Sequence, residues 1–246
     1  MIAHFPTPII FAHRGDSAHA PENTLAAFEL ALKRGAPAIE FDVKLTSDRQ
    51  VVIIHDQTLN RTTNGSGAVT KQPLASLREL DAGSWKSAEF CGEKIPTLEE
   101  VFEMMGKKLL MNIELTNYAT PFDRLVHKVA ALVKKHGLQE RVIFSSFFPT
   151  NLMLARQLLP SVPRGQLIHE GNSGWWQRTA ANFMALDAEH PFIADVTARS
   201  VERAHAKARR IHIWTVNDPA EMRRLRSLGA DGIFTDDPSI GMENFK

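Results

Sequence analysis

Short apolar runs alternate with longer amphipathic stretches along nearly the whole chain, and this rhythm constrains the fold more than any other feature. The runs predict strands at Ile9–His13, Ala38–Val43, Leu109–Leu115, Val142–Ser146, Arg164–Ile168, Met184–Asp187, Arg210–Val216 and Gly232–Thr235. Between them the pattern predicts helices at Thr24–Lys33, Pro121–His136, Thr150–Leu158, Trp175–Phe183, Ala198–Ala208 and Ala220–Ser227. A strand followed by a helix and another strand implies a parallel sheet, because each strand must return along a helix. Eight such repeats in 246 residues predict an α/β chain closed as a (β/α)8 (TIM) barrel, which needs about 250 residues. The punctuation agrees. Gly35 and Gly229 are helix-stop residues, and Asp218-Pro219 supplies a cap followed by proline in the first turn.

One run breaks the rhythm. Val51-Val52-Ile53-Ile54-His55 follows Ala38–Val43 after a short polar stretch, too short for a parallel crossover of a dozen residues. It is expected to return antiparallel as a hairpin arm, carrying His55 back toward Glu40 and Asp42. Residues 57–96 then form a long polar connection with Asn64-Gly65-Ser66-Gly67, Asp81-Ala82-Gly83 and a short helix expected at Ala75–Leu80. Connections of this length are lids or inserted subdomains, so 57–96 is expected as a small insert within one catalytic domain spanning 1–246. Thr97, with Glu100 three residues on, has the spacing of a capping box and opens a helix expected over Thr97–Lys107.

Composition narrows the partners. The net charge is +1, so no bulk field recruits nucleic acid or an anionic membrane, and a small anionic substrate must be met by local charge. Cys91 is the single cysteine, which rules out an internal disulfide and suits a reducing compartment. Met1 to Pro8 lack a basic segment followed by an apolar one, and no run reaches 18 apolar residues. The expectation is a cytoplasmic protein with no nucleic-acid partner and no stable membrane association; a homodimer is compatible with it.

The candidate chemistry lies at strand ends. Glu40 and Asp42 are two residues apart on a strand and point to the same face, about 6.5 Å apart along it. Their strand neighbours are apolar, and two inward carboxylates are costly unless a cation neutralises them. Glu114 is a third carboxylate at the end of an apolar strand, where barrel enzymes place reactive groups. Hard divalent ions take such oxygens, so one divalent cation, Mg2+ or Ca2+, is expected there. His13 ends the first strand and His55 ends the hairpin arm; two imidazoles beside a cation would supply a general acid and a general base. Arg14 offers a forked donor for phosphate. Trp214 is either a platform for the substrate or ordinary barrel core. No Walker A loop, G-x-G-x-x-G or G-x-S-x-G motif is present.

These residues fall within Ala12-His13-Arg14-Gly15, Pro21-Glu22-Asn23-Thr24, Glu40-Phe41-Asp42-Val43, His55-Asp56 with Arg61-Thr62-Thr63, Asn112-Ile113-Glu114, Trp214-Thr215-Val216-Asn217 and Thr235-Asp236. In that order they resemble the glycerophosphodiester phosphodiesterases, most of all the short bacterial cytoplasmic members. The resemblance implies a barrel with an insert after the His55 strand and a cation held by Glu40, Asp42 and Glu114. It also implies an acid–base pair in His13 and His55, and Arg14 on the phosphate of a small glycerophosphodiester. The reaction it implies is hydrolysis to sn-glycerol 3-phosphate and an alcohol. The chain departs from the pattern at Thr116, where members of the family commonly carry lysine; Lys44, on the same face as Asp42, is expected to compensate. Two other readings stand beside this one. A lysophospholipase D-type or cyclising phosphodiesterase on lipid diesters would use Phe147-Phe148 or Trp175-Trp176 as an apolar rim. A non-catalytic glycerophosphodiester-binding barrel is suggested by Thr116, against the intact histidines and carboxylates.

Overall fold

The computed structural model describes residues 2–246; Met1, at the start of the expected domain, lies outside them. The strands are β1 (Ile9–His13), β2 (Ala38–Leu45), β3 (Val51–Ile53), β4 (Leu110–Leu115), β5 (Val142–Ser146), β6 (Arg164–Ile168), β7 (Ala188–Pro191), β8 (Arg210–Ile213) and β9 (Gly232–Thr235). The helices are α1 (Leu25–Lys33), α2 (Leu74–Glu79), α3 (Leu98–Met105), α4 (Leu125–Lys135), α5 (Pro149–Leu158), α6 (Trp175–Asn182), α7 (Ala198–His205), α8 (Pro219–Ser227) and α9 (Pro238–Asn244). β1 pairs in parallel with both β2 and β9, so the sheet closes on itself as the expected barrel. Only β3 is antiparallel. It pairs Val43 with Ile53 and Leu45 with Val51, the hairpin arm read from the sequence.

Strand alternation sorts the side chains into two cores. Ile39, Phe41 and Val43 of β2 pack outward with Phe28 of α1 and with Leu98 and Phe102 of α3. Inside the barrel, Ile9, Phe11, Ala38, Ile143, Ala188 and Phe234 fill the lower part. Glu40, Asn112, Glu114 and Ser145 stand above them, toward the carboxyl ends of their strands. The 57–96 connection packs a small apolar cluster of its own, with Leu59, Val69, Leu77, Ala82 and Ile95 against Val52 and Ile54 of the hairpin arm. Asp81 accepts the amides of Gly83, Ser84 and Gly92 and so pins its turns. Thr97 and Glu100 form the expected capping box at the start of α3. No helix among the described residues is long and apolar enough to cross a membrane.

The expected strand Met184–Asp187 is corrected: the sixth barrel strand is β7, Ala188–Pro191. Met184 and Leu186 belong to the turn that ends α6, and the Asp187 carboxylate accepts the Arg164 amide at 3.0 Å. The true strand is polar in composition, which hid it. Its Glu189 is ion-paired to Arg209 at 2.9 Å, and its His190 meets His212 at 3.2 Å inside the barrel. Other boundaries moved less. β2 runs on to Leu45 because the hairpin arm extends its pairing. α4 begins at Leu125, where Asp123 caps the first amide at 2.9 Å. α9, absent from the reading above, starts on Asp237-Pro238, the same cap-then-proline signal that marks α8.

The histidine pair explains a glycine. A Cβ on Gly165 would come within 2.2 Å of the His190 ring, so β6 leaves the space empty for the imidazole. Burial pushes His190 down to about 3, and burial with the neighbouring His190 and Arg210 charges pushes His212 well below its ordinary range. Both are neutral in the fold and become protonated when the chain unfolds in mild acid. Their contribution to stability is therefore intact above about pH 6.5 and falls as pH drops below it, for His190 until about pH 3. We expect urea-unfolding free energy to drop below pH 6.5 with a slope of up to about 1.4 kcal/mol per pH unit from each ring. His212→Gln should flatten that slope, and an unchanged slope would remove these imidazoles as its source.

Candidate active site

The site begins with a backbone turn. At the end of β1, Arg14 adopts φ 58° and Gly15 φ 86°, both in the left-handed region. The turn aims the Arg14 amide at Glu40 Oε2, 3.1 Å away. Gly15 is required twice, by its φ and because a Cβ there would lie 2.6 Å from that of Ala27 on α1. Asn23, also in the left-handed region, donates its side-chain amide to Asp42 Oδ2 at 2.9 Å.

The parallel register of β2 and β4 sets Asp42 opposite Glu114 and Glu40 opposite Asn112. One carboxylate oxygen from each of Glu40, Asp42 and Glu114 lies within 4.8 Å of the others. Burial and the charges of Asp42 and Glu114 push Glu40 well up; burial and Asp42 push Glu114 up to about 8. Asp42 goes the other way. Burial would raise it, but Arg14, whose Nε is 3.5 Å away, then His55 and the Asn23 amide hold it below the usual carboxylate range. Three carboxylates so close, two of them buried and one half-buried, cannot all ionise unaided, and an all-oxygen donor set of this size fits a hard metal ion. The positions expected for a cation therefore come together.

Both expected histidines are present, each clamped by an acid. His13 Nδ1 is 2.6 Å from Asp236 Oδ1, and His55 Nδ1 is 2.7 Å from Asp56 Oδ1. A proton held at Nδ1 leaves the Nε2 lone pair free in both rings. Asp236 also accepts from Ser17 and Asn217; burial opposes its ionisation, but these bonds and His13 hold it down to about 2. A chain of charges joins the two halves of the site. Arg61 forks onto Asp56 at 2.8 and 2.9 Å and onto Glu22 at 2.7 and 2.8 Å, and Glu22 accepts from Arg14 at 2.8 Å.

These groups surround a cavity of about 110 Å3 lined by His13, Arg14, Glu40, His55 and Glu114, with Phe147 and Trp214 completing the wall. Trp214 is therefore a cavity residue, held by its indole N–H on the His190 carbonyl at 2.8 Å and edge-on to Phe147. Lys44 is placed differently from expectation. It does face the same way as Asp42, but it is 2% exposed and absent from the cavity wall. Its ammonium donates to the Thr116 hydroxyl at 2.8 Å and carbonyl at 3.2 Å. Sequence reasoning left Glu22, Asn23, Asp56, Arg61 and Asp236 without roles, although all lie inside the quoted motifs. It missed Tyr118, the chain's one tyrosine. Its hydroxyl donates to Glu114 Oε1 at 2.9 Å and accepts the Phe147 amide at 3.0 Å. Tyr118→Phe should weaken divalent-cation affinity by about tenfold in calorimetric titration while leaving the melting temperature nearly unchanged. Equal affinity would show that Glu114 needs no such anchor.

Comparison with known proteins gives the same answer. Residues 13–240 match the model of the glycerophosphoryl diester phosphodiesterase family. The chain is 40% identical over 235 residues to a glycerophosphodiester phosphodiesterase of Caldanaerobacter subterraneus, covering 94% of both chains. It is 37% identical over 237 residues to another of Bacillus altitudinis, covering 93% of this chain and 94% of the relative. Among solved structures, an Oleispira antarctica phosphodiesterase in complex with the product sn-glycerol-3-phosphate superposes with a TM-score of 0.90. That pair shares 34% identity, covering 97% of this chain and 96% of the other. With the matched span covering the barrel from His13 at the end of β1 to Ile240 in α9, the chain belongs to the glycerophosphodiester phosphodiesterase family.

Proposed function

We propose that this enzyme hydrolyses glycerophosphodiesters to sn-glycerol 3-phosphate and an alcohol such as choline or ethanolamine. The observation that carries the reading is a close trio of carboxylates, two of which, Glu40 and Glu114, line one cavity together with two carboxylate-clamped histidines. The product bound by the Oleispira relative supports the same substrate class.

In this reading Glu40, Asp42 and Glu114 hold one divalent cation, Mg2+ or Ca2+. When bound, it supplies Lewis-acid polarisation of the phosphate and orients the diester for in-line displacement. Arg14, fixed by Glu22 and Asp42, donates its remaining N–H groups to a phosphate oxygen. One histidine takes the proton at Nε2 from the attacking hydroxyl, whether of water or of the substrate's own glycerol. The other gives a proton from Nε2 to the leaving alcohol oxygen. Asp236 and Asp56 keep the two rings oriented for these transfers. Trp214 and Phe147 offer the apolar carbon face against which glycerol or the leaving group packs. Lys44 takes a supporting role: from behind Thr116 it sets a fixed positive charge beside Asp42 and Glu114, and does not touch phosphate. We take residues 57–96 as an inserted subdomain of a single catalytic domain, and the cytoplasm as the setting that suits a lone cysteine.

The test is turnover of glycerophosphocholine with and without a chelator, beside His13→Ala, His55→Ala and Glu114→Ala. Each histidine variant should lose about 10²–10⁴-fold in kcat. Chelation should abolish turnover, and added Mg2+ or Ca2+ should restore it. Full activity in the chelated sample and in all three variants would remove the site assignment. Faster cleavage of lysophosphatidylcholine than of glycerophosphocholine would move the substrate class to lipid diesters.

A further inference from the structure

A second cavity lies toward the opposite end of the barrel. It is a groove of about 600 Å3 between α5 and α6, bounded by Pro160 and the turn at residues 183–186. That volume is typical of small-molecule sites. Its walls are mostly apolar, with Leu152 and Met153 from α5, Ala180 from α6, and Phe183 and Leu186 from the turn. Phe183 is 87% exposed and Met153 54%, so the groove opens onto a patch of apolar surface.

Two arginines line the same groove, Arg156 from α5 and Arg164 from the amino end of β6. Arg164 is 7% exposed. Its backbone amide and Nη2 both use one oxygen of Asp187, at 3.0 and 3.3 Å. Its Nε and Nη1 are sealed from water and have no hydrogen-bond partner among the described residues. Guanidinium donors sealed in this way are costly and are not reached from the groove, so Arg164 acts on it through its charge. Arg156 makes a long 3.5 Å contact to the Ala185 carbonyl and lies close enough to Arg164 to repel it. Two guanidinium groups against the one Asp187 carboxylate leave a net charge of +1 in an apolar slot. The complement of that arrangement is a monoanion with one apolar chain, and a carboxylate matches the forked donors of arginine.

We propose that this groove binds a single-chain carboxylate of the fatty-acid type. Its headgroup is held by the exposed Arg156, with the buried charge of Arg164 behind it, and its chain lies along Leu152, Ala180, Phe183 and Leu186. The groove shares no residue with the catalytic cavity, so binding here is independent of the phosphodiesterase reading.

Calorimetric titration of the whole chain with decanoate, octanoate and decanol, all below micelle formation, tests the proposal. Decanoate should bind at roughly 10–100 μM. Octanoate should bind more weakly, by up to about fourfold for each methylene removed. Decanol, without the charge, should bind at least about tenfold more weakly than decanoate. Arg156→Gln should cost about tenfold in decanoate affinity. Ala180→Phe, which fills the slot, should abolish binding while glycerophosphocholine turnover is unchanged. Equal binding of decanol and decanoate, decanoate binding that survives Ala180→Phe, or no binding at about 1 mM would each overturn the proposal. So would a concentration-dependent dimer that Phe183→Ser dissociates and decanoate does not, since the face would then belong to a second copy of the chain.

Discussion

Three carboxylates with oxygens within 4.8 Å of one another, Glu40 and Asp42 buried and Glu114 half-buried, are the constraint on which the rest of this structure turns. Their mutual repulsion, added to the cost of burial, lifts Glu40 and Glu114, while Arg14, His55 and Asn23 hold Asp42 down. Such a cluster is held together only by what surrounds it. The parallel register of β2 and β4 fixes the backbone, the Arg14 amide and guanidinium hold one side, and Asn23 and Tyr118 hold individual oxygens. The left-handed turn at Arg14 and Gly15 is part of the same requirement, because it is what brings a cation and an amide to two of the acids.

Around this centre, each polar group is oriented by a group of opposite character. Each histidine is fixed by an aspartate, and the Arg61 fork links the His55–Asp56 pair to Glu22 and hence to Arg14. Arg61 and Asp56 follow the hairpin arm, whereas Glu22 and Arg14 follow β1. The hairpin therefore delivers more than His55: it carries the counter-ions that lock two strands' worth of site residues into one geometry. The apolar cluster beneath residues 57–96 gives that arm a solid base.

Lys44 and Thr116 show how a departure from a family pattern is absorbed. With threonine at 116, the lysine two residues beyond Asp42 fills the neighbouring space and bonds to the hydroxyl. Thr116 donates its own hydroxyl hydrogen bond to the Val43 carbonyl at 2.7 Å, so the pair is tied into the β2–β4 ladder. Burial pulls the Lys44 ammonium down while Asp42 and Glu114 draw it up.

Residue order alone determined the barrel, the hairpin arm, the caps at Thr97 and Asp218, and the candidate carboxylates, histidines and arginine that the fold brings together. Each of these rests on local information: period-two and period-3.6 patterns, a capping residue, or a carboxylate pair on one strand face. Where the pattern was not local, it misled or was silent. The strand Ala188–Pro191 looks polar until Arg209 and His212 arrive from other parts of the chain to satisfy Glu189 and His190. Asp236 lies 223 residues from the His13 ring it fixes, and Lys44 lies 72 from Thr116. Tyr118 gives no sequence sign that its hydroxyl spans Glu114 and the Phe147 amide. Only closure of the barrel sets those partners, because a buried polar group takes its energy, and so its role, from whichever donor or acceptor the fold places against it.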